Sequence, residues 1–353
     1  MFISICIPSY NRAEFLIPLL DSIYNQDYKI DNSDSDSDSD SDFEVVICED
    51  KSPQRDEIIK IVNEYIINNN TSNLRIVLNK DNLGYDKNLK NCIASGTGKY
   101  CMIMGNDDLL NDGALTKVVN TLKENPDIVL ATRAYGWFKE NQHELCDTVR
   151  HLTEDTLFQP GLDAIKFFFR RVGVISGFIV NAQKANEISC DDFDGRLYYQ
   201  MYLAGMLMAN GQGYYFSDII TLSRDTEAPD FGNAGSEKGF FVPGGYKPEG
   251  RIHMVEGLLL IAKYIEDNTK IPGVYQGIKS DIANYFYPYI RDQLNLPFPL
   301  YIKMVNSFRT MGFNNEKLFY IHIVLGYLLK RNGYDSLIKF IRKCNGGTPR
   351  LGI

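Results

Sequence analysis

The chain has 353 residues, 44% hydrophobic and 23% charged, enough for a sizeable buried core and more than one average domain. Its net charge of −8 and pI near 5.2 exclude the basic footprint of a dedicated nucleic-acid binder. An acidic protein that holds a phosphate ligand needs a local cation, and a bound metal is the simplest source.

The chain starts with an apolar run cut by Pro8 and without a positive leader, so it does not read as a signal peptide. No segment supplies the roughly 18 uncharged apolar residues of a spanning helix. A cytoplasmic protein is expected. The isoleucine-rich residues 2–7 predict a buried strand that ends in a loop at Pro8. Residues 14–25 follow with helical spacing, Pro18 sitting in the first turn. Residues 31–42 alternate Ser and Asp almost without interruption. Such a tract buries nothing and repels itself, so a disordered loop is expected there rather than a calcium loop, whose glycine and spacing are missing. Then come a strand (43–48), a helix (56–67), a strand (74–78), a helix (85–94) and a strand (100–104). This alternation predicts a doubly wound, mostly parallel α/β sheet.

In such sheets ligands sit beyond the carboxyl ends of the strands. The polar clusters fall there: 8–12, Glu49-Asp50, 79–84 and 106–108. Past residue 149 the pattern gives two further strands (175–180 and 214–222) around an apolar helix (197–208). Residues 226–248 are rich in Gly and Pro and predict a linker or mobile loop between a domain at 1–225 and a helical domain at 249–353. Seven scattered cysteines without C-x-x-C spacing fit buried thiols better than disulfides, and the four histidines show no zinc spacing.

Gly105-Asn106-Asp107-Asp108 is the sharpest chemical feature. Adjacent carboxylates at a strand end suit a hard cation such as Mn or Mg. They read equally as the N-cap of a helix starting at Leu109. Glu49-Asp50 offers acceptors for a base or ribose, or is simply a turn acid. Lys80, Lys87 and Asn88 either line a ligand or are a solvated helix face.

Taken together, Ile5-Cys6-Ile7-Pro8-Ser9-Tyr10-Asn11-Arg12, then 45–50, then Asn82-Leu83-Gly84 with Asn88, then 98–108 resemble family 2 glycosyltransferases with the GT-A fold. The likeness covers roughly residues 1–225, and its flavour is that of bacterial O-antigen and capsule enzymes of the abequosyltransferase-like kind. The resemblance implies a nucleotide-diphosphate sugar donor, most commonly a UDP-sugar, and a glycan or lipid-linked acceptor. It places Pro8, Tyr10, Arg12 and Glu14 against the nucleotide, Asp50 on the base, Lys87 and Asn88 on the helix that closes on it, Asn106 and Asp107 at the donor, and Asp107 and Asp108 on Mn or Mg. It implies transfer with inversion.

Two departures stand out. Gly105 replaces the acid usual two residues before Asp107. The helix start where inverting members carry their base, 196–202, has no acid. Asp191, Asp192 and Asp194 are the nearest carboxylates and become the candidate bases. Arg224, with Arg251 and His253 behind it, is the candidate clamp for the leaving diphosphate. Tyr198, Tyr199, Tyr202, Tyr214 and Tyr215 are either a sugar platform or core packing. The basic residues from Lys330 to Arg350 predict either a peripheral membrane contact or an ordinary packed helix with solvated lysines. A non-catalytic nucleotide- or glycan-binding scaffold remains the alternative function. A nucleotidyltransferase is disfavoured by the lack of a glycine-rich loop after the first strand.

Overall fold

The structure is a computed structural model that describes residues 1–28, 43–225 and 230–344. The Ser-Asp tract at 31–42, residues 226–229 of the expected linker and Arg350 lie outside the described residues.

The first half runs β1 (Ile3–Ser9), α1 (Leu16–Tyr24), β2 (Phe43–Glu49), α2 (Arg55–Asn69), β3 (Leu74–Leu78), α3 (Tyr85–Ser95), β4 (Tyr100–Ile103), β5 (Leu109–Leu110) and α4 (Ala114–Glu124). It continues through β6 (Ile128–Phe138), β7 (Leu145–Val149), β8 (Thr156–Phe158), α5 (Leu162–Arg171), β9 (Phe178–Asn181), α6 (Ala182–Glu187), α7 (Tyr199–Leu207) and β10 (Gln212–Arg224). Among the described residues, α8 (Pro248–Thr269), α9 (Val274–Asn284), α10 (Tyr287–Ile290), α11 (Phe298–Thr310) and α12 (Lys317–Cys344) follow, and α12 is kinked where Lys330 leaves the helical conformation (φ 56°, ψ 178°).

One sheet carries the fold, in the order β3-β2-β1-β4-β9-β6-β10-β5. β3, β2, β1 and β4 pair in parallel; β1, β2 and β4 are buried, mostly apolar runs, and β3 at the sheet edge is only half-buried. Beyond β4 the sheet is mixed: β9 is antiparallel to both β4 and β6, and β10 is parallel to β6. The α/β architecture is therefore the one expected, with its parallel character confined to the first four strands and the β6–β10 pair.

Strand alternation sorts the side chains onto two cores. Ile3, Ile5 and Ile7 point toward α1, α2 and α4, whereas Cys6, Val46 and Cys48 join α3, α5 and α7. The second core runs on without a break into α8, α9, α11 and α12. The C-terminal helices thus share the sheet's core instead of owning a separate one. The residues 230–247 that composition marks as a linker are packed: Glu237 accepts from the backbone N–H of Gly232 and Tyr85, at 2.8 and 2.7 Å. In α12 the apolar residues of the basic stretch turn inward, with Ile338 fully buried and Arg342 paired to Asp147 at 2.8 Å; only Phe340 stands out.

Candidate functional site

The carboxyl ends of β1, β2 and β4 open into a cavity of about 370 Å³. Its floor comes from the strand-end loops: Pro8, Ser9, Tyr10 and Arg12 after β1, Asp50 after β2, and Gly105 to Asp108 after β4. Asn82, Gly84, Tyr85 and Asn88 wall one side, and Leu197, Tyr198 and Gln200 the other. Asp230, Phe231, Asn233, Glu237 and Tyr246 cross over it.

The loop after β1 turns through two consecutive left-handed residues, Asn11 (φ 55°) and Arg12 (φ 62°). For residues other than glycine this conformation is sparse and costs energy that the surroundings must offset. It aims the Arg12 guanidinium at the Asp107 carboxylate, with which it forms an ion pair. Asn106 fixes the same loop, its amide donating to Asn11 O at 2.9 Å and Ser9 Oγ at 3.3 Å.

The two adjacent acids have different surroundings. Asp107 faces the cavity and Arg12. Asp108 is buried and accepts from the hydroxyls of Ser176 and Ser223 and from the Arg224 backbone N–H at 2.9 Å. Burial, followed by the Asp107 charge, pushes the Asp108 carboxyl up to about 6. The N-cap reading of this pair fails, because β5 follows Asp108 and α4 starts only at Ala114.

Asp50 is nearly as enclosed. Its Oδ1 accepts from Asn79 Nδ2 and Leu83 N, both at 2.8 Å, and its Oδ2 from Gly84 N at 2.9 Å. Gly84 can serve there because its φ of 82° lies where other residues are strained. Burial raises the Asp50 carboxyl despite these donors. A carboxylate offers about four acceptor positions, so three donors leave one open. Asn88 ties this corner to β2, donating to Cys48 O at 3.1 Å and accepting from Asn79 at 2.8 Å.

The opposite wall depends on Asp86, in the first turn of α3. Its two oxygens accept from Leu197 N (2.9 Å) and Tyr199 N (3.0 Å), and so hold the start of α7 and the left-handed Leu197 (φ 66°) in place. Burial raises this carboxyl to about 7. Gln200, in the first turn of α7, lines the cavity while its own buried Oε1 lacks a partner among the described residues.

Of the residues singled out from sequence, Pro8, Tyr10, Arg12, Asp50, Asn88, Asn106, Asp107 and Asp108 meet at this cavity. Others stand apart. Glu14 is exposed, and Lys87 is half-exposed and pairs with Asp194 at 3.6 Å. Asp191 and Asp194 both clamp Lys90, and Asp192 is exposed; none of the three lines the cavity. The reason is the left-handed turn at Leu197, which separates these acids from α7 and leaves them beside the lysines of α3.

Arg224 braces the loop after β4 from behind, lying 4.6 Å from the rings of both Phe15 and Phe138 and donating to Asp107 O at 3.2 Å. Arg251 pairs with Asp292, and His253 stacks on Phe240 at 3.7 Å. Tyr198 alone of the five tyrosines lines the cavity; Tyr199 and Tyr202 pack in the core. Sequence reasoning missed Asp86, Gln200, Asp230 and Glu237. The first-turn position of Asp86 was a usable signal for a capping role, but nothing local says that it caps a different helix.

Residues 4–179 match the family described as "Glycosyl transferase family 2". Over 135 residues the chain is 31% identical to abequosyltransferase RfbV of Salmonella typhimurium, covering 38% of this chain and 36% of that protein. Over 107 residues it is 31% identical to the dolichyl-phosphate beta-glucosyltransferase of Dictyostelium discoideum, covering 30% and 31%. The matched stretch spans about a third of the length of these curated relatives. Residues 1–349 of S. aureus TarS, solved in complex with UDP, share the fold with a TM-score of 0.61 at 16% identity, covering 95% of this chain and 92% of that one.

Proposed function

Given that residues 4–179 form a glycosyl transferase family 2 domain, we propose that the protein moves a sugar from a nucleoside-diphosphate donor to a hydroxyl of a glycan or lipid-linked acceptor, with inversion. The observation that carries this reading is the convergence of Tyr10, Arg12, Asp50 and Asp107 on one cavity. S. aureus TarS has been solved with UDP and with UDP-GlcNAc, which makes a UDP-sugar the first donor to try.

In this reading Tyr10 packs on the base and Asp50 uses its remaining acceptor position for a base N–H. Among the described residues, the lining holds five carboxylates (Asp50, Asp107, Asp108, Asp230 and Glu237) against the one guanidinium of Arg12. A diphosphate entering such a lining needs an added cation. The donor set fits one only in a limited form. No group of three or more metal-binding side chains occurs among the described residues, and Asp108 is taken up by its own hydrogen bonds. Asp107 alone would hold Mg or Mn, the phosphates and water completing its shell, as is usual for Mg. When bound, the cation supplies Lewis-acid neutralisation of the departing diphosphate.

Asp230 is the carboxylate best placed to take the acceptor proton. One of its oxygens accepts from Asn11 Nδ2 at 3.0 Å, and the other has no partner among the described residues. Glu237, by contrast, is held through both oxygens. As Asp230 takes the hydroxyl proton, the acceptor oxygen bonds to the anomeric carbon. The bond from that carbon to the diphosphate oxygen breaks, and Arg12 meets the charge that leaves. The earlier candidates Asp191, Asp192 and Asp194 do not line the cavity, and two of them are taken up by Lys90.

A second reading, donor binding without turnover, is favoured by one observation: the start of α7 presents the Gln200 amide, which cannot accept a proton. Isothermal titration with UDP, GDP, CDP and dTDP, with and without Mn, tests the donor site. Micromolar binding of one nucleotide, lost without metal and in Asp107→Ala, is expected; no binding by folded protein overturns the site. Binding without nucleoside diphosphate release over a broad acceptor panel establishes the second reading.

A further inference from the structure

The twelve residues 318–329 of α12 contain no charged side chain and run between Lys317 and Lys330. One face of this segment is core: Phe319, His322, Ile323 and Gly326 are buried, and His322 is tied inward to Tyr334 and Asn284. The other face is equally apolar but exposed. Tyr320, Ile321, Val324, Leu325, Leu328 and Leu329 recur at helical spacing on the outside, with Val324 at 53% and Leu328 at 71% exposure. The patch continues onto α11. Phe298, 58% exposed, meets the ring of Tyr327 at 5.6 Å, and Leu300 is exposed beside it. Single exposed apolar residues are ordinary; a contiguous patch on two helices marks something that covers it.

The charge around the patch says what. From Lys317 to Cys344 there are six Lys or Arg against one acid, in a chain whose net charge is −8. That acid, Asp335, is already held by Arg291 and Tyr287. Arg342 is held by Asp147, whereas Lys317 and Lys330, which bracket the patch, are exposed, as are Lys339 and Lys343 beyond the non-helical break at Lys330 (φ 56°). A second copy of this chain would set this cationic rim against itself across a two-fold axis. An anionic lipid surface matches both halves of the patch: acyl chains for the leucines, headgroup phosphates for the lysines. Twelve residues of helix span about 18 Å, too short to cross a bilayer and suited to lying along its interface. No helix of the described residues is long and apolar enough to cross a membrane.

We propose that the outer face of residues 318–329, with Phe298 and Leu300, docks on anionic phospholipid. This differs from the contact predicted from the basic stretch beyond Lys330: the leading half of α12 supplies the insertion, and the basic half supplies the charge. It also stands apart from the donor site, whose residues it does not use.

The test is flotation of the full chain with vesicles of phosphatidylcholine alone or mixed with phosphatidylglycerol. Val324→Asp, Leu328→Asp and a Lys330→Glu/Lys339→Glu pair are compared with Ile67→Asp, an exposed apolar position on α2. Expected are binding to the mixed vesicles that weakens with salt, a drop of about tenfold or more in the α12 variants, and no change in Ile67→Asp. The affected positions are exposed, so these variants should fold, and an unchanged melting temperature checks that. Equal binding to neutral vesicles would overturn the charge argument. No vesicle binding by the wild type overturns the proposal, and a concentration-dependent dimer lost in Leu328→Asp would then assign the face to a second copy.

Discussion

Asp107 and Asp108 are neighbours with opposite expected phenotypes. Asp108 is buried and accepts three hydrogen bonds, one of them from a backbone N–H. In Asp108→Ala the two serine hydroxyls can rotate to new acceptors, but the Arg224 N–H has nowhere else to go. A stranded buried donor costs about 1–3 kcal/mol, and a lost hydrogen bond to a charged acceptor a similar amount, so about 3 kcal/mol is expected. Asp107 pairs with Arg12 at the edge of the cavity, with both side chains partly open to solvent. Asp107→Ala should cost about 1 kcal/mol or less. At roughly 2 °C per kcal/mol for a protein of this size, the melting temperatures should fall by about 6 °C and about 2 °C respectively.

Nucleotide titration in the presence of Mn should then invert the order of interest. Asp107→Ala loses metal-dependent binding while staying folded, and Asp108→Ala binds to the extent that it is folded. Calorimetric melting and titration on the same preparations read both. Equal destabilisation by the two substitutions would refute the division of labour, and so would full stability of Asp108→Ala. If Asp107→Ala keeps metal-dependent affinity, the assignment of the cation to that carboxylate fails even though the stability argument stands.

Three further outcomes follow from buried or cavity-lining groups. Asp86, raised to about 7 when folded against about 4 when unfolded, binds more protons in the native state between these values. Its ionisation therefore lowers stability as pH rises from about 4 to about 7, by an amount of order 4 kcal/mol, and the difference between wild type and Asp86→Asn in urea midpoints should change across that window and level off above it. A difference that is flat with pH would show Asp86 ionised throughout. Arg133 is fully buried, with only its Nε bonded, to Thr221 at 3.1 Å, and both terminal nitrogens without partners among the described residues. The stranded terminal nitrogens cost stability, while the nearby Asp108 charge and the Tyr135 ring at 4.7 Å return part of it, so Arg133→Met should change stability by no more than about 2 kcal/mol in denaturant melts; a loss beyond about 3 kcal/mol would reveal an anion that satisfies the guanidinium. Asp230→Asn should lower kcat by about 100-fold or more with little change in donor affinity; unchanged turnover removes it as the base.

The first half of the fold was legible because buried parallel strands are written as unbroken apolar runs, and each run here ends in a polar cluster. Ile3 to Ile7 and Val45 to Cys48 alternate between two cores, so all but Ser4, whose buried hydroxyl donates to Glu44 at 2.6 Å, are apolar, and the strand cannot be mistaken for a surface. The same logic brings Tyr10, Asp50 and Asp107 together, since strands in register carry their ends to one edge. What local pattern does not hold is the partner of a polar group. Asp191 and Asp194 stand a few residues from the start of α7, yet the turn at Leu197 gives them to Lys90. Asp86 reads as a first-turn acid of its own helix, yet it fixes the start of another 111 residues on. The Gly/Pro composition of 230–247 says only that the segment is irregular; whether it hangs free or is seated depends on Glu237 finding two backbone donors, one of them 152 residues away at Tyr85.

That seating has a functional side. The same segment that closes the cavity brings two carboxylates to the proposed diphosphate site, and among the described lining residues Arg12 is the one cationic side chain that faces them. An anionic donor alone would be repelled from such a lining, whereas a donor that arrives with a divalent cation is drawn to it. The acidity of the cavity is thereby a reason to expect metal-dependent affinity, independent of any likeness to other proteins. It yields its own measurement: replacing Asp230 and Glu237 together by Asn and Gln should shrink the ratio of nucleotide affinities with and without Mn, chiefly by improving the metal-free value, and an unchanged ratio would show that Asp107 alone sets the demand for the cation.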